Sequence, residues 1–321
     1  MKSLAHKLKY LLLFSFIMAG LFSCKKEEVV DVHNQGVNPP PTVERIKSLL
    51  AANAPELQEF SVEGDKAASI YGKEGTFLYI PANAFVKPDG SPVTGPVNFE
   101  LKELLSPGAM ILADRPTVSN GQRLVSGGEL YMNASQGGVN LRMASGKSIG
   151  VEVPTQNFDP NMQLFTGTGS GDNFNWVLNA NTVIQQCGMD SLSPGPSYCF
   201  GIDSLFNWIN CDYYNNDPRP LTEVDMVVPS GYTDSNTVMI IHVPVDQSIV
   251  RVSNYANNVF SVTGGYRLPV GINVNFLAIH SDSQNNLFYS LQNNTIAQNH
   301  VENMSFQQIT ETQLIQLIQS L

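Results

Sequence analysis

Apolar and polar residues alternate along several segments of this chain. Val97, Phe99 and Leu101 are separated by Asn98 and Glu100; Val139, Leu141 and Met143 by Asn140 and Arg142; Ile149, Val151 and Val153 by Gly150 and Glu152. Successive side chains of an extended strand point to opposite faces. A period of two therefore predicts strands with one face in a core and the other in water. Asp89-Gly90, Asn120-Gly121, Gly127-Gly128 and Gly137-Gly138 supply residues suited to tight turns between them. Charged residues make up only 14 % of the chain, and Asn, Gln, Ser and Thr fill many polar positions. That surface suits sheets better than long solvated helices. The expected fold is all-β, built as two antiparallel β-sandwich domains.

The expected boundaries follow from composition. Residues 59–180 form the first sandwich, and Phe174, Trp176 and Leu178 complete its core. The stretch from Asn179 to Ser197, rich in Asn, Gln, Ser, Pro and Gly, marks the junction. Residues 181–321 form a second, Ig-like or transthyretin-like sandwich. In it Val238–Val243 reads as a central strand, Phe260 to Leu268 as a hairpin over Gly264-Gly265, and Ile272 to Ala278 as another strand. Thr310 and Gln313 form a capping-box pattern ahead of Leu314, Leu317, Ile318 and Leu321, which predicts a short C-terminal helix packed on a sheet.

The segment Gly75-Thr76-Phe77-Leu78-Tyr79-Ile80-Pro81-Ala82-Asn83-Ala84-Phe85 is followed by Asp89-Gly90, Gly95-Pro96-Val97, Gly127-Gly128-Glu129-Leu130 and Gly146-Lys147-Ser148-Ile149 leading to Val153-Pro154-Thr155. This order resembles the zonula-occludens/Unc-five type β-sandwich domain, and is similar to uncharacterised lipoproteins of Bacteroidota that carry one. The resemblance spans about Ser61 to Asn179. It implies a fold and an interaction role, and carries no catalytic residues.

The N-terminus predicts location. Lys2, Lys7 and Lys9 precede a largely apolar run from Tyr10 to Phe22, shorter than the ~20 residues a membrane span needs. Leu21-Phe22-Ser23-Cys24 has the form of a lipobox, so residues 1–23 read as a lipoprotein signal peptide and Cys24 as the lipidated first residue. Acyl chains contribute ~0.8 kcal/mol per buried CH₂, enough for two or three to anchor a protein firmly. Lys25-Lys26-Glu27-Glu28 resembles the export signal of surface lipoproteins. The expected site is the outer membrane, with display on the cell surface as its extension. Residues 24–58 read as anchor and linker: Gly36 and Pro39-Pro40-Pro41 in a tether, then a short helix from Thr42 to Asn53. The formal net charge is −10, and removing the leader's lysines makes the mature chain more acidic still. Nucleic acid is thereby disfavoured as a partner, and membrane attachment falls to the lipid.

Candidate chemistry is sparse. Gly146-Lys147-Ser148-Ile149-Gly150 matches the letters of a nucleophile elbow, but a strand and not a helix follows Ser148. Gly167-Thr168-Gly169-Ser170-Gly171 lacks dinucleotide-loop spacing and reads as a hairpin tip. His6, His33, His242, His280 and His300 form no metal-binding pattern. Asp203, Asp212 and Asp217 lack the spacing of a calcium loop. The distinctive stretch is Trp208-Ile209-Asn210-Cys211-Asp212-Tyr213-Tyr214, where Trp208, Tyr213 and Tyr214 offer an aromatic platform for a sugar or a protein, or else plug a domain interface. Besides Cys24 there are Cys187, Cys199 and Cys211; the expected pairing is Cys187 with Cys199, leaving Cys211 buried and free. The expected function is a non-enzymatic envelope interaction or structural module, without cofactor or metal, whose partner is an envelope protein or glycan. Glycan binding through the Trp208 platform is the alternative, and hydrolysis through Ser148 a remote third.

Overall fold

A computed structural model describes residues 42–188, 195–205 and 207–321. The expected signal peptide, Cys24 and most of the expected tether lie outside the described residues. What is described is mainly strand, in two β-sandwiches that belong to one compact unit.

The first sandwich faces an eight-stranded sheet against a five-stranded one. The eight-stranded sheet has the path Gln58–Glu63, Pro96–Leu104, Gln122–Gln136, Asn207–Tyr214, Gln163–Thr168, Asn175–Leu178. The five-stranded sheet runs Gln185–Cys187, Ser197–Ile202, Ile149–Pro154, Phe77–Ile80, Ala68–Tyr71. The expected alternation holds: Val97, Phe99 and Leu101 of one sheet and Ile149, Val151 and Val153 of the other all enter the same core. Pro81 follows the Phe77–Ile80 strand, where its missing N–H is harmless.

The second sandwich packs a four-stranded sheet (Tyr255–Ala256, Val259–Val262, Val224–Val227, His300–Asn303) on a five-stranded one. The latter runs Ser248–Val252, Thr237–Val243, Asn273–Ser281, Leu287–Thr295, Gln307–Ile309. Thr237–Val243 is an interior strand, flanked on both sides and buried throughout, as its apolar run implies.

A third layer joins the two. Helices α1 (Val43–Ala52), α2 (Pro107–Leu112) and α3 (Glu311–Gln319) share a cluster with Leu104 of the first sandwich and with Val238, Ile240 and Ile279 on the second. Full burial of one such aliphatic side chain contributes ~1.5–3 kcal/mol. The capping box of α3 forms as expected, with the Thr310 side chain accepting from the Gln313 amide and Gln313 reaching back. The helix beginning after Thr42 is part of the body: Arg45 donates to Ser281 Oγ and to the Asn285 carbonyl, each at 2.9 Å. Thr117 and Ser248 tie the sandwiches at 3.0 Å, and Arg251 donates to both Asp114 carboxylate oxygens at 2.7 and 2.8 Å.

Four expectations are corrected. First, Ser197–Ile202 and Asn207–Tyr214 pair inside the first sandwich, so that sandwich extends to Tyr214 and not to residue 180. The polar stretch after Asn179 is a connection within it. Second, Gly127-Gly128 is not a turn but an irregularity within the Gln122–Gln136 strand, opposite Cys211. Gly128 has φ +124°, so the glycine signal was real but served a bulge. Third, the expected strand from Val139 to Met143 divides into two-residue pieces bound to different partners. Fourth, Phe260 to Leu268 is no hairpin; a 3₁₀ turn at Gly264–Tyr266 carries the chain from one sheet to another.

Candidate functional site

Strand alternation disperses the expected platform. In Asn207–Tyr214, Ile209, Cys211 and Tyr213 face the first sandwich's core, while Trp208 and Tyr214 face the opposite way into a satellite cluster with Phe165 and Trp176. Trp208 is covered: its ring is 5.3 Å from that of Tyr131, and the Arg115 guanidinium lies 4.5 Å from its centre and 4.4 Å from that of Phe174. Tyr214 bonds Ser119 Oγ at 3.1 Å and meets Phe165 edge-on. Tyr213 and Tyr214 do border one polar groove with Asn215, Asp217 and Arg219, but Trp208 is not part of it. Burial, aided by Asp159, pushes the Tyr213 hydroxyl up to about 12. The interface-plug alternative describes Trp208, and the three-residue platform is corrected.

The acids around this strand also separate. Asp203 is exposed, Asp217 pairs with Arg219, and Asp212 is fully buried. The Arg219 side chain holds Asp217 down to about 2. Asp212 belongs to a cluster that sequence reading missed. Asn210 Nδ2 donates to Asp212 Oδ2 at 2.7 Å and to Glu129 Oε1 at 3.5 Å, and Ser126 Oγ donates to Asn210 Oδ1 at 3.2 Å. Among the described residues Glu129 Oε2 and Asp212 Oδ1 have no hydrogen-bond partner. Burial drives Glu129 well above the usual carboxylate range, Asp212 adds to this, and Arg115 opposes it. Burial likewise raises Asp212. The two acids are buried in the first sandwich and linked through Asn210.

Cys187 and Cys199 form a disulfide, and Cys211 is a buried free thiol that burial pushes up, away from the reactive thiolate. Among the described residues the one potential three-ligand group is Glu152 with Cys187 and Cys199, whose sulfurs are bonded to each other. The described histidines all lie in strands of the second sandwich. Burial lowers His242 to about 4, and its Nδ1 lies 3.2 Å from the Asn275 side-chain nitrogen. Ser148 precedes the Ile149–Pro154 strand of the first sandwich, whereas those imidazoles lie in the second.

The outer face of the five-stranded sheet has a different character. Inward residues Ile70, Leu78, Val151 and Phe200 fill the core, so their neighbours point outward. Cross-strand register lines up two rows. One is Tyr71, Phe77, Glu152, Cys199, Gln185; the other is Ser69, Tyr79, Gly150, Gly201. Tyr71 is 60 % exposed, Tyr79 47 % and Val183 71 %. The Tyr71 and Phe77 rings lie 4.9 Å apart. Gly150 and Gly201 sit side by side, and neither has a positive φ. A Cβ at Gly150 would lie 3.6 Å from Tyr79 Cβ, and one at Gly201 3.5 Å from Ser148 Oγ, both ordinary contacts. Neither the backbone nor the interior requires glycine there. Glycine inside a strand costs about 0.5–1 kcal/mol relative to alanine, and recurs where something approaches the backbone closely. Over this floor runs a groove of about 420 Å³ bordered by Phe77, Tyr79 and Val183. It adjoins one of about 850 Å³ walled by Ser148, Asn179, Asn181 and Asp203, and the two share Val183 and Gly201.

No family model and no curated protein matches this chain. Among the described residues no helix is long and apolar enough to cross a membrane.

Proposed function

We propose that this chain is a non-catalytic, lipid-anchored binding protein of the cell envelope, held at the outer membrane by Cys24 and engaging its partner through the outer face of the five-stranded sheet. The observation that carries the binding reading is the pair Gly150 and Gly201. Among the described residues nothing inside the fold uses their smallness, and the exposed Tyr79 lies beside them. The lipobox ending at Cys24 supports anchorage. The Cys187–Cys199 disulfide supports an oxidising compartment. The resemblance of the first half to the zonula-occludens/Unc-five type of domain supports an interaction role.

The test is photo-crosslinking in intact cells, with a diazirine-bearing residue placed at Tyr79 or, as control, at the exposed Val139 on the other sheet. An adduct is expected from position 79 and not from 139. Absence of any adduct from 79 overturns the assignment of the face. Fractionation of Cys24→Ala tests the anchor: the variant is expected to leave the membrane fraction, and its retention there overturns lipid anchorage.

A further inference from the structure

The chemistry of the two joined grooves identifies what they accept. We infer that their occupant is a neutral polysaccharide chain, its sugar rings lying on Tyr79 and across the Gly150–Gly201 floor. This rests on the reading of the face as a binding surface and goes on to name the ligand class.

Stacking comes first. A pyranose ring presents a flat face of C–H groups, and a half-exposed tyrosine presents an aromatic face with a polar tip. Tyr79 projects from the strand next to Gly150, directly across the register, so the surface beside its ring drops to backbone level. Gly201 extends that low floor into the next strand. A six-membered ring fits such a step; a valine or threonine at either position would fill it.

Hydrogen bonding comes second. The larger groove begins at Gly201 and is walled by Ser148, Asn179, Asn181, Thr182 and Ser204. Short amides and hydroxyls both donate and accept, matching sugar hydroxyls that also do both. A protein partner of standard affinity would instead need a broad, well-packed apolar centre. The glycine floor offers no such centre.

Charge comes third. Among the described residues that line the two grooves, the charged ones are Glu152 and Asp203, both acidic. With the chain's net charge of −10, this field repels uronate, sulfate and phosphate groups. A neutral chain meets no such penalty. The two grooves share Val183 and Gly201, so the path is longer than one sugar and suits a polymer.

The test is affinity electrophoresis of the full-length protein in mild detergent, through native gels containing laminarin, galactomannan, xyloglucan, starch or polygalacturonate. Retardation is expected in at least one neutral gel and not in polygalacturonate. In the retarding gel, Tyr79→Ala and Gly150→Val are each expected to weaken affinity at least tenfold, with Val139→Ala unchanged. Thermal unfolding verifies that the Tyr79 and Gly150 variants are folded; Tyr79→Phe, which keeps the ring, is expected to retain binding. No retardation in any neutral gel overturns the inference, as does stronger retardation by polygalacturonate or full binding by both face variants. If no neutral gel retards the protein while a protein adduct still forms at position 79, the sugar assignment falls and the binding face stands. If the adduct is absent as well, both fall.

Discussion

Arg115 stacks on Trp208, with its guanidinium carbon 4.5 Å from the ring centre, and the same cation rests on Phe174 at 4.4 Å. A cation held between two rings, close enough to Glu129 to oppose its raised protonation, makes Trp208 a structural anchor. Trp208→Ala is therefore expected to lower unfolding stability by about 3 kcal/mol, from lost packing and the lost cation–π contact. The midpoint of urea unfolding measures it. A variant as stable as the parent would return Trp208 to the surface role considered from sequence.

The buried acids give a pH signature. Glu129 and Asp212 hold protons more tightly folded than unfolded, so they oppose folding increasingly as pH rises above the ordinary carboxylate value of about 4. Glu129→Gln and Asp212→Asn remove that opposition while keeping an acceptor for Asn210. Each variant's melting temperature relative to the parent is expected to be higher at pH 8 than at pH 5. A constant difference would show that the pair does not titrate in this range.

His242 acts in the opposite direction. Burial lowers it to about 4, so the unfolded chain takes up a proton near pH 6.5 that the folded chain refuses until about pH 4. Stability is expected to fall as pH drops through that window. His242→Gln should flatten this slope in melting curves taken across it.

Gly108 of α2 faces the backbone of α3, and a Cβ there would lie 2.3 Å from the Ile318 carbonyl oxygen. Alanine usually strengthens a helix, by about 0.5–1 kcal/mol over glycine. Here Gly108→Ala is expected to destabilise by about 1–3 kcal/mol through overpacking. The sign of the shift in a chemical denaturation midpoint decides between the two effects.

The disulfide closes a short segment, Cys187 to Cys199, onto the edge of the five-stranded sheet. Replacing both by serine is expected to cost about 3 kcal/mol by loop-closure entropy. Added reductant should shift the parent's unfolding curve toward that of the variant and leave the variant's own curve in place.

What sequence could reveal depended on whether the signal was local. Asn120-Gly121 and Gly137-Gly138 were legible because both residues of each turn need positive φ, which glycine and asparagine supply. The same preference misled at Gly127-Gly128, since a bulge and a turn ask for similar backbone geometry. Val97, Phe99 and Leu101 were legible from their period. Asn207–Tyr214 was assigned to the second sandwich, because pairing partners distant in sequence leave no local mark. The Glu129–Asn210–Asp212 cluster was hidden for the same reason: it exists only once the register sets Glu129 opposite Asn210. Gly150 stood visible inside a strand pattern, but Gly201 carried no such mark, and their adjacency required the sheet.

Asn207–Tyr214 lies between Gln122–Gln136 and Gln163–Thr168, near the middle of the eight-stranded sheet. Its late position in the chain imposes an order on assembly. A nascent polypeptide that has emerged past Thr168 but not yet as far as Asn207 holds two raw strand edges with a gap between them, open to pairing with neighbours. The amino-terminal half is thus a lock awaiting its bolt, and cannot close until the carboxy-terminal half has begun to emerge.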